Sequence, residues 1–140
     1  MNQAFVDIGN TTIYAQITPS KGEPFYLHLG RSRKAMSLFF NQMALDTIMV
    51  SSVVPSLNAV IQSFENPAIK LLTHADFSDV AINISPIESI GIDRLVNVVA
   101  TLHHYQSNAI IVDAGTVITC CHINAKGEYN GGIILPGFHM

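Results

Sequence analysis

The chain has 140 residues, of which 49% are hydrophobic and 12% charged, and its formal net charge is −3. This length is sufficient for one domain with a hydrophobic core, and the apolar composition predicts a sheet that is largely buried on both faces. Three of the seven basic residues form the one short basic cluster, at 31–34, which we interpret as a solvated loop before a helix. The sequence indicates neither a nucleic-acid surface nor a membrane span or signal peptide.

The pattern of apolar residues predicts strands first and then alternating helices and strands. Three antiparallel strands open the chain, because a hairpin is followed by a Pro- and Gly-containing turn and another short apolar run. Helices are predicted where apolar residues recur every three or four positions. The elements of the first half are a hairpin at 3–18, a strand at 25–29, a helix at 34–45, a strand at 47–50, a helix at 55–64 and a strand at 68–72.

A polar, irregular stretch at 73–89 opens the second half, and we interpret it as a surface loop that leads to a site and could include a strand at 80–84. A strong helix is predicted from Gly91 to about Tyr105. Its predicted buried stripe is Leu95, Val98, Val99 and Leu102.

The strands then return, with a second hairpin from residue 109, a turn at 124–127 and a strand at 128–135. The same opening therefore occurs twice, which predicts a duplicated α/β domain. We assign residues 1–108 to the first copy and 109–140 to the opening strands of an incomplete second copy.

A strand–turn–strand motif with an Asp and a Gly carries this repeat. It reads Val6-Asp7-Ile8-Gly9-Asn10-Thr11-Thr12-Ile13 and then Val112-Asp113-Ala114-Gly115-Thr116-Val117-Ile118-Thr119. Because Gly has no Cβ, backbone N–H groups can approach an anion closely, while an Asp can hold a hydrated cation. One such turn commonly does no more than reverse the chain. Two in the same context indicate two subdomains that face each other across a nucleotide.

Asp93 and Arg94 lie at the start of the strong helix and are the next candidates for chemistry. A carboxylate there can accept a proton from a substrate hydroxyl, and a guanidinium can bind a substrate carboxylate. From spacing alone, the simpler explanation of the pair is an Asp that favours the helix dipole beside a surface Arg.

The remaining polar residues give weaker signals. Cys120 and Cys121 are adjacent, so on a strand their side chains point to opposite faces, which disfavours a disulfide and fits a reduced cytoplasmic setting. We interpret them as ordinary strand thiols rather than a redox pair. The histidines show no zinc-ligand spacing, and P-loop, Rossmann and serine-hydrolase motifs are missing from the sequence.

Five motifs in order resemble the type III pantothenate kinases of the acetate and sugar kinase, Hsp70 and actin superfamily. They are Asp7-Ile8-Gly9-Asn10-Thr11, Ser51-Ser52-Val53-Val54-Pro55, Gly91-Ile92-Asp93-Arg94 with Asn97, Asp113-Ala114-Gly115-Thr116, and Gly131-Gly132-Ile133-Ile134-Leu135-Pro136-Gly137. The resemblance implies an actin-like ATPase (ribonuclease H-like) α/β fold, duplicated, with an incomplete second domain.

The resemblance also implies an activity, the ATP-dependent phosphorylation of pantothenate, the first step of coenzyme A synthesis. Its cofactors would be Mg²⁺ and a monovalent cation, K⁺ or NH₄⁺, and the protein would be a cytoplasmic homodimer. The residues implied to bind ATP are Asp7, Ile8, Gly9, Asn10, Thr11, Thr12 and Thr116, and Asp7 would also bind Mg²⁺. Those implied to bind pantothenate are Gly91, Ile92, Asp93 and Arg94, with Asp93 also the general base. Asp113 would bind the monovalent cation.

Several departures from the family pattern keep other functions open. Members are considerably longer, so we expect a truncated chain or a fragment with little activity by itself and an uncovered sheet face prone to self-association. Cys121 stands where members often carry an acidic residue, Val117 where they carry Ala, and Ile84 is the candidate at an aromatic position. The alternatives are a non-catalytic nucleotide-binding or regulatory module and another small-molecule kinase of the superfamily.

Overall fold

The structure is a computed structural model that describes residues 1–105 and 108–137. The chain forms two compact units, Met1–Leu72 and a second that begins at Thr73. The predicted boundary between residues 108 and 109 separates two copies of a repeat, whereas the boundary after Leu72 separates two compact units. The predicted boundary therefore stays a prediction.

The first unit is a five-stranded mixed sheet with two helices. Its elements are β1 (Gln3–Ile8), β2 (Ile13–Thr18), β3 (Phe25–His28), α1 (Arg33–Gln42), β4 (Thr47–Ser52), α2 (Pro55–Gln62) and β5 (Ile69–Leu71). The strand order is β3-β2-β1-β4-β5, antiparallel from β3 to β1 and parallel from β1 to β5. This order and these strand directions are those of the ribonuclease H-like fold, as predicted.

Helix α1 begins where predicted and ends early. The Ser32 hydroxyl caps it by accepting a hydrogen bond from the backbone N–H of Ala35, at 3.2 Å. The predicted end at residue 45 is wrong, because Met43 is already extended. The chain after it is held by a contact distant in sequence, in which the backbone N–H of Asp46 donates to the Asn2 carbonyl at 2.8 Å.

The sheet of the first unit does not follow the expectation of burial on both faces. Along β1, Ala4, Val6 and Ile8 are buried, whereas Phe5 between them is 46% exposed. The buried face packs with Met36, Phe39 and Phe40 of α1 and Ile61 of α2. Strand β1 therefore alternates with period two, as a strand with one covered face does. The overall hydrophobicity of the chain, from which burial of both faces was predicted, was misleading.

The second unit joins a helix to a three-stranded antiparallel sheet. Its elements are two short 3₁₀ helices (His74–Phe77 and Ile87–Ser89), α3 (Ile92–Tyr105), β6 (Ala109–Ala114), β7 (Val117–Ile123) and β8 (Tyr129–Pro136), with the sheet order β6-β7-β8. The strand considered at 80–84 is reduced to one isolated bridge between Ile82 and Tyr129.

Helix α3 packs on one face of this sheet. Ile92, Leu95 and Val98 form the helical face that contacts the sheet, and all three are buried. Val99 was also predicted to be buried, but it is 41% exposed. On the sheet the buried side chains are Thr119, Cys121, Ile123 and Tyr129. None of the helices in the described ranges is long and apolar enough to cross a bilayer.

The opposite face of the second sheet exposes apolar side chains. Strand register places Ile110, Val112, Ile133 and Leu135 on that face, and each of them is more than 40% exposed. The expected uncovered sheet face is therefore present in the described residues. Its predicted consequence, self-association of the isolated chain, stays a prediction.

Candidate active site

The turn between β1 and β2 places the first Asp-x-Gly motif at the end of a central strand. Asp7 is exposed on β1, in register with Tyr14 of β2 and Ser51 of β4. The turn is closed by a 3.0 Å hydrogen bond from the Gly9 N–H to the Thr12 carbonyl. Asn10 and Thr11 stand exposed at its tip, so the polar groups predicted to bind phosphate are presented to solvent.

Arg31 is a charged neighbour of this turn that sequence reasoning missed. Its Nη1 donates a hydrogen bond to the Gly9 carbonyl at 2.9 Å. The cluster at 31–34 is exposed and leads into α1, as predicted. Ser32 caps the helix, and Arg33 Nη2 lies 3.2 Å from Ser63 Oγ. The signal available in the sequence was that this is the one basic cluster, and a cation beside the turn suits an anionic ligand.

The serine pair that ends β4 lies beside the same turn. The backbone N–H of Val53 donates to the Ile8 carbonyl at 3.1 Å, and Ser52 Oγ accepts from the N–H of Val54 at 3.2 Å. Ser51 is 7% exposed, and among the described residues its hydroxyl has no hydrogen-bond partner. The carboxyl ends of β1 and β4 thus form one polar edge of the first sheet.

The turn between β6 and β7 carries the second Asp-x-Gly motif, but it is shorter. Asp113 pairs in register with Thr119, six residues on, whereas Asp7 pairs with Tyr14, seven residues on. The Gly115 N–H donates to the Val117 carbonyl at 3.0 Å, and Thr116 lies exposed in the turn. The motifs therefore share their position after a strand but differ in turn geometry, and the duplication stays a prediction.

Asp93 and Arg94 lie in the first turn of α3, as predicted. The backbone N–H of Arg94 donates to Asp93 Oδ1 at 2.7 Å and to the Gly91 carbonyl at 3.1 Å. Asp93 is half-buried, and Ile92 is only 7% exposed. Because the Ile92 side chain belongs to the core, any contact it makes with a substrate is through its backbone.

Two side chains of α3 bond to the sheet beneath it. Arg94 Nε donates to Cys121 Sγ on β7 at 3.1 Å, and one turn later Asn97 Nδ2 donates to Asp113 Oδ2 on β6 at 3.3 Å. Since α-helical residues three apart share a face, both contacts arise on the same side of α3. The second unit therefore brings the predicted residues Asp93, Arg94 and Asp113 together, with Cys121 and Asn97 as their partners.

The charge of Arg94 is supported by its surroundings. Burial acts against the guanidinium, but the hydrogen bond to Cys121 and the electrostatic interactions with Cys121, Tyr129 and Asp93 leave the pKa of Arg94 above its ordinary value. A half-buried, permanently charged guanidinium next to a carboxylate at a helix start is equipped to bind an anionic group.

Ile84, the candidate replacement for a family aromatic residue, packs on the backbone of β8. A Cβ built on Gly131 would lie 2.7 Å from Ile84 Cδ1, and Gly131 has a φ of 89°. The pairing of β7 with β8 is irregular at this point, between Cys121 and Ile123. Gly131 thus serves a bulge in which the backbone conformation and the close side chain both disfavour any other residue.

Comparison with known proteins matches this chain to one family along nearly all of its length. Residues 4–140 match the family described as type III pantothenate kinase. The type III pantothenate kinase of Thermosipho africanus is 32% identical over 146 aligned residues, which cover 96% of this chain and 58% of that protein. That of Halalkalibacterium halodurans is 31% identical, with 94% and 59% covered.

A solved structure, described as the Aquifex aeolicus member of the Ppx/GppA family, covers 97% of this chain and 51% of that one, with a TM-score of 0.44 and 11% identity. That likeness is too weak to bear on fold or function. The chain spans less than three-fifths of the length of the two kinases above. The match over residues 4–140 nonetheless shows that the chain belongs to the type III pantothenate kinase family.

Proposed function

We propose that this protein transfers the γ-phosphoryl group of ATP to pantothenate and forms 4′-phosphopantothenate, the first step of coenzyme A synthesis. The observation that carries the proposal is the grouping of Asp93, Arg94 and Asp113 around the first turns of α3. Phosphoryl transfer requires little covalent participation from the protein, so its demands are positioning and charge neutralisation. A carboxylate base, a guanidinium and a second carboxylate meet those demands.

In this proposal Asp93 and Arg94 hold the two ends of the acceptor. The Asp93 carboxylate accepts the proton of the primary hydroxyl as that oxygen attacks the phosphorus atom. Arg94 pairs with the carboxylate of pantothenate, an interaction for which a guanidinium is geometrically suited. Gly91 and Ile92 contribute backbone at the start of the helix, where N–H groups favour negative charge.

The turn from Asp7 to Thr12 is proposed to bind the phosphates of ATP, and Thr116 is proposed to contact ATP. The turn exposes Asn10 and Thr11 and has the Arg31 guanidinium against its Gly9 carbonyl. Asp7 fits a magnesium site, since this ion is commonly bound by one or two carboxylates together with phosphate oxygens and water. The bound ion would neutralise phosphate charge during transfer.

Asp113 is proposed to hold the monovalent cation. Carboxylate oxygens are hard ligands, and the Asn97 amide fixes one of them from α3. Removing that amide by Asn97→Ala should raise the K⁺ concentration for half-maximal activity about threefold to tenfold, the effect of losing one exposed hydrogen bond worth roughly 1 kcal/mol. Steady-state rates over a K⁺ titration measure this shift.

Asn83→Ala is the matched control for this titration, because the Asn83 amide donates to Asn130 instead, at 2.8 Å. An Asn97→Ala protein with the K⁺ dependence of the Asn83→Ala protein would contradict the assignment of Asp113 as the cation ligand.

The proposed activity is tested with the purified complete gene product, because the 140-residue chain is expected to have little activity by itself. The assay contains ATP, Mg²⁺ and pantothenate, ADP release is followed in KCl and in NaCl, and the product is identified by mass spectrometry. We expect 4′-phosphopantothenate that depends on K⁺ or NH₄⁺. Saturable ATP binding without transfer to pantothenate would favour the non-catalytic nucleotide-binding module. Transfer to a different alcohol would favour another small-molecule kinase.

A homodimeric state and a cytoplasmic location complete the proposal, and both derive from the resemblance to the family. Light scattering coupled to gel filtration tests the first. A monomer at micromolar concentration with full activity would contradict it.

A further inference from the structure

Two hydrogen-bond donors converge on one buried sulfur in the second unit. Arg94 Nε lies 3.1 Å from Cys121 Sγ, and the Tyr129 hydroxyl lies 3.5 Å from the same atom. Cys121 is 2% exposed and Tyr129 is fully buried. A buried thiol with two directed donors differs from an ordinary core cysteine, which packs as a small apolar side chain.

The protonation of the two donors is well defined. Burial, together with the hydrogen bond to Cys121, raises the pKa of Tyr129 to about 12, so the phenol keeps its proton at neutral pH. Arg94 keeps its charge because its pKa lies above the ordinary value despite burial. Of the three groups, the sulfur is therefore the one that accepts.

The sulfur restricts how Arg94 can bind a carboxylate. A guanidinium pairs with a carboxylate either through Nε and one terminal nitrogen or through its two terminal nitrogens. The Nε–H of Arg94 already donates to Cys121. The first mode therefore competes with the sulfur, and the second mode remains.

We propose that Cys121 is a positioning residue, which acts through Arg94 by holding Nε–H and presenting the two terminal nitrogens to the carboxylate of the substrate. This inference rests on the proposed pantothenate kinase function. Holding the side chain in one orientation before binding lowers the entropic cost of ordering it with the substrate. Tyr129 supports the same sulfur from the core of the sheet.

A purely structural role of Cys121 predicts a different set of kinetic changes. If the thiol only fills space, Cys121→Ala alters stability and affects all substrates alike. If it orients Arg94, the loss is confined to substrates that carry the carboxylate. The discriminating comparison is therefore pantothenate against its analogue in which a hydroxymethyl group replaces the carboxylate.

The experiment measures KM and kcat for both substrates in wild type, Cys121→Ala, Cys121→Ser and the matched control Cys120→Ala, whose thiol lies on the other face of β7. We expect Cys121→Ala to raise KM for pantothenate about tenfold with little change in kcat, as expected for loss of one hydrogen bond to a charged group. KM for the analogue should not change. Cys121→Ser, which keeps an acceptor, should recover most of the loss.

Equal changes for the two substrates, or a Cys121→Ala protein that behaves like Cys120→Ala, would overturn the inference. Failure of the proposed function has a separate signature, which is a wild-type protein that does not phosphorylate pantothenate. In that case the Arg94 Nε–Hε resonance, measured by ¹⁵N NMR, tests the positioning role of Cys121 without turnover. A shift in Cys121→Ala that is missing in Cys120→Ala supports the positioning role, and an unmoved resonance overturns it.

Discussion

An Asp93→Asn protein should lose kcat for pantothenate by about 10²–10⁴-fold, the usual contribution of a positioned general base. The asparagine has nearly the same shape, and its Oδ1 can still accept the hydrogen bond that Asp93 Oδ1 receives from the Arg94 N–H at 2.7 Å. The start of α3 is therefore preserved, and basicity is the property removed. KM for pantothenate should change much less than kcat, because the Arg94 contact with the carboxylate is retained.

Glu88→Gln is the matched control for this change, since it makes the same carboxylate-to-amide exchange at an exposed residue of the 3₁₀ helix that precedes α3. Both proteins should have the melting temperature of the wild type. Full turnover by Asp93→Asn would leave Asp93 only its role at the helix start, which is the simpler interpretation that the spacing allowed.

The elements of the fold could be predicted because their signals are local. Alternation of apolar residues identifies β1 and β2, and the recurrence of apolar residues every three or four positions identifies α3. A serine before α1 and a proline at the first residue of α2 set helix starts within a residue of those expected. Strand order required the family resemblance, since local patterns do not say which strands pair.

The elements that were mispredicted depend on contacts distant in sequence. The early end of α1 coincides with hydrogen bonds from Asn66 to the Phe40 carbonyl and from the Asp46 N–H to Asn2. Val99 occupies a helical position that periodicity assigns to the core, yet it is exposed because the sheet beneath α3 covers a narrower stripe. Neither outcome is determined within a window of a few residues.

The candidate site was likewise predictable in part. Positions at strand ends and at a helix start follow from sequence, and the structure places Asp7, Asp93 and Asp113 at such positions. The partners of these residues could not be predicted: Cys121 is 27 residues from Arg94, and Arg31 is 22 residues from Gly9. Cys121 drew attention only as a departure from the family pattern, and its hydrogen bond to Arg94 gives that departure a physical role.

Strand β8 should tolerate no side chain at Gly132, and Gly132→Ala should destabilise the second unit by about 3 kcal/mol or more, at the upper end of overpacking effects. A Cβ there would lie 1.8 Å from the Cys120 carbonyl oxygen and 2.9 Å from Cys121 Cα. Because these are backbone atoms of the paired strand, relief requires β8 to separate from β7. Chemical denaturation followed by circular dichroism measures the loss.

Gly115→Ala is the control, since its Cβ would meet nothing closer than 3.8 Å. Equal stability of the two variants would contradict the close approach of β7 and β8.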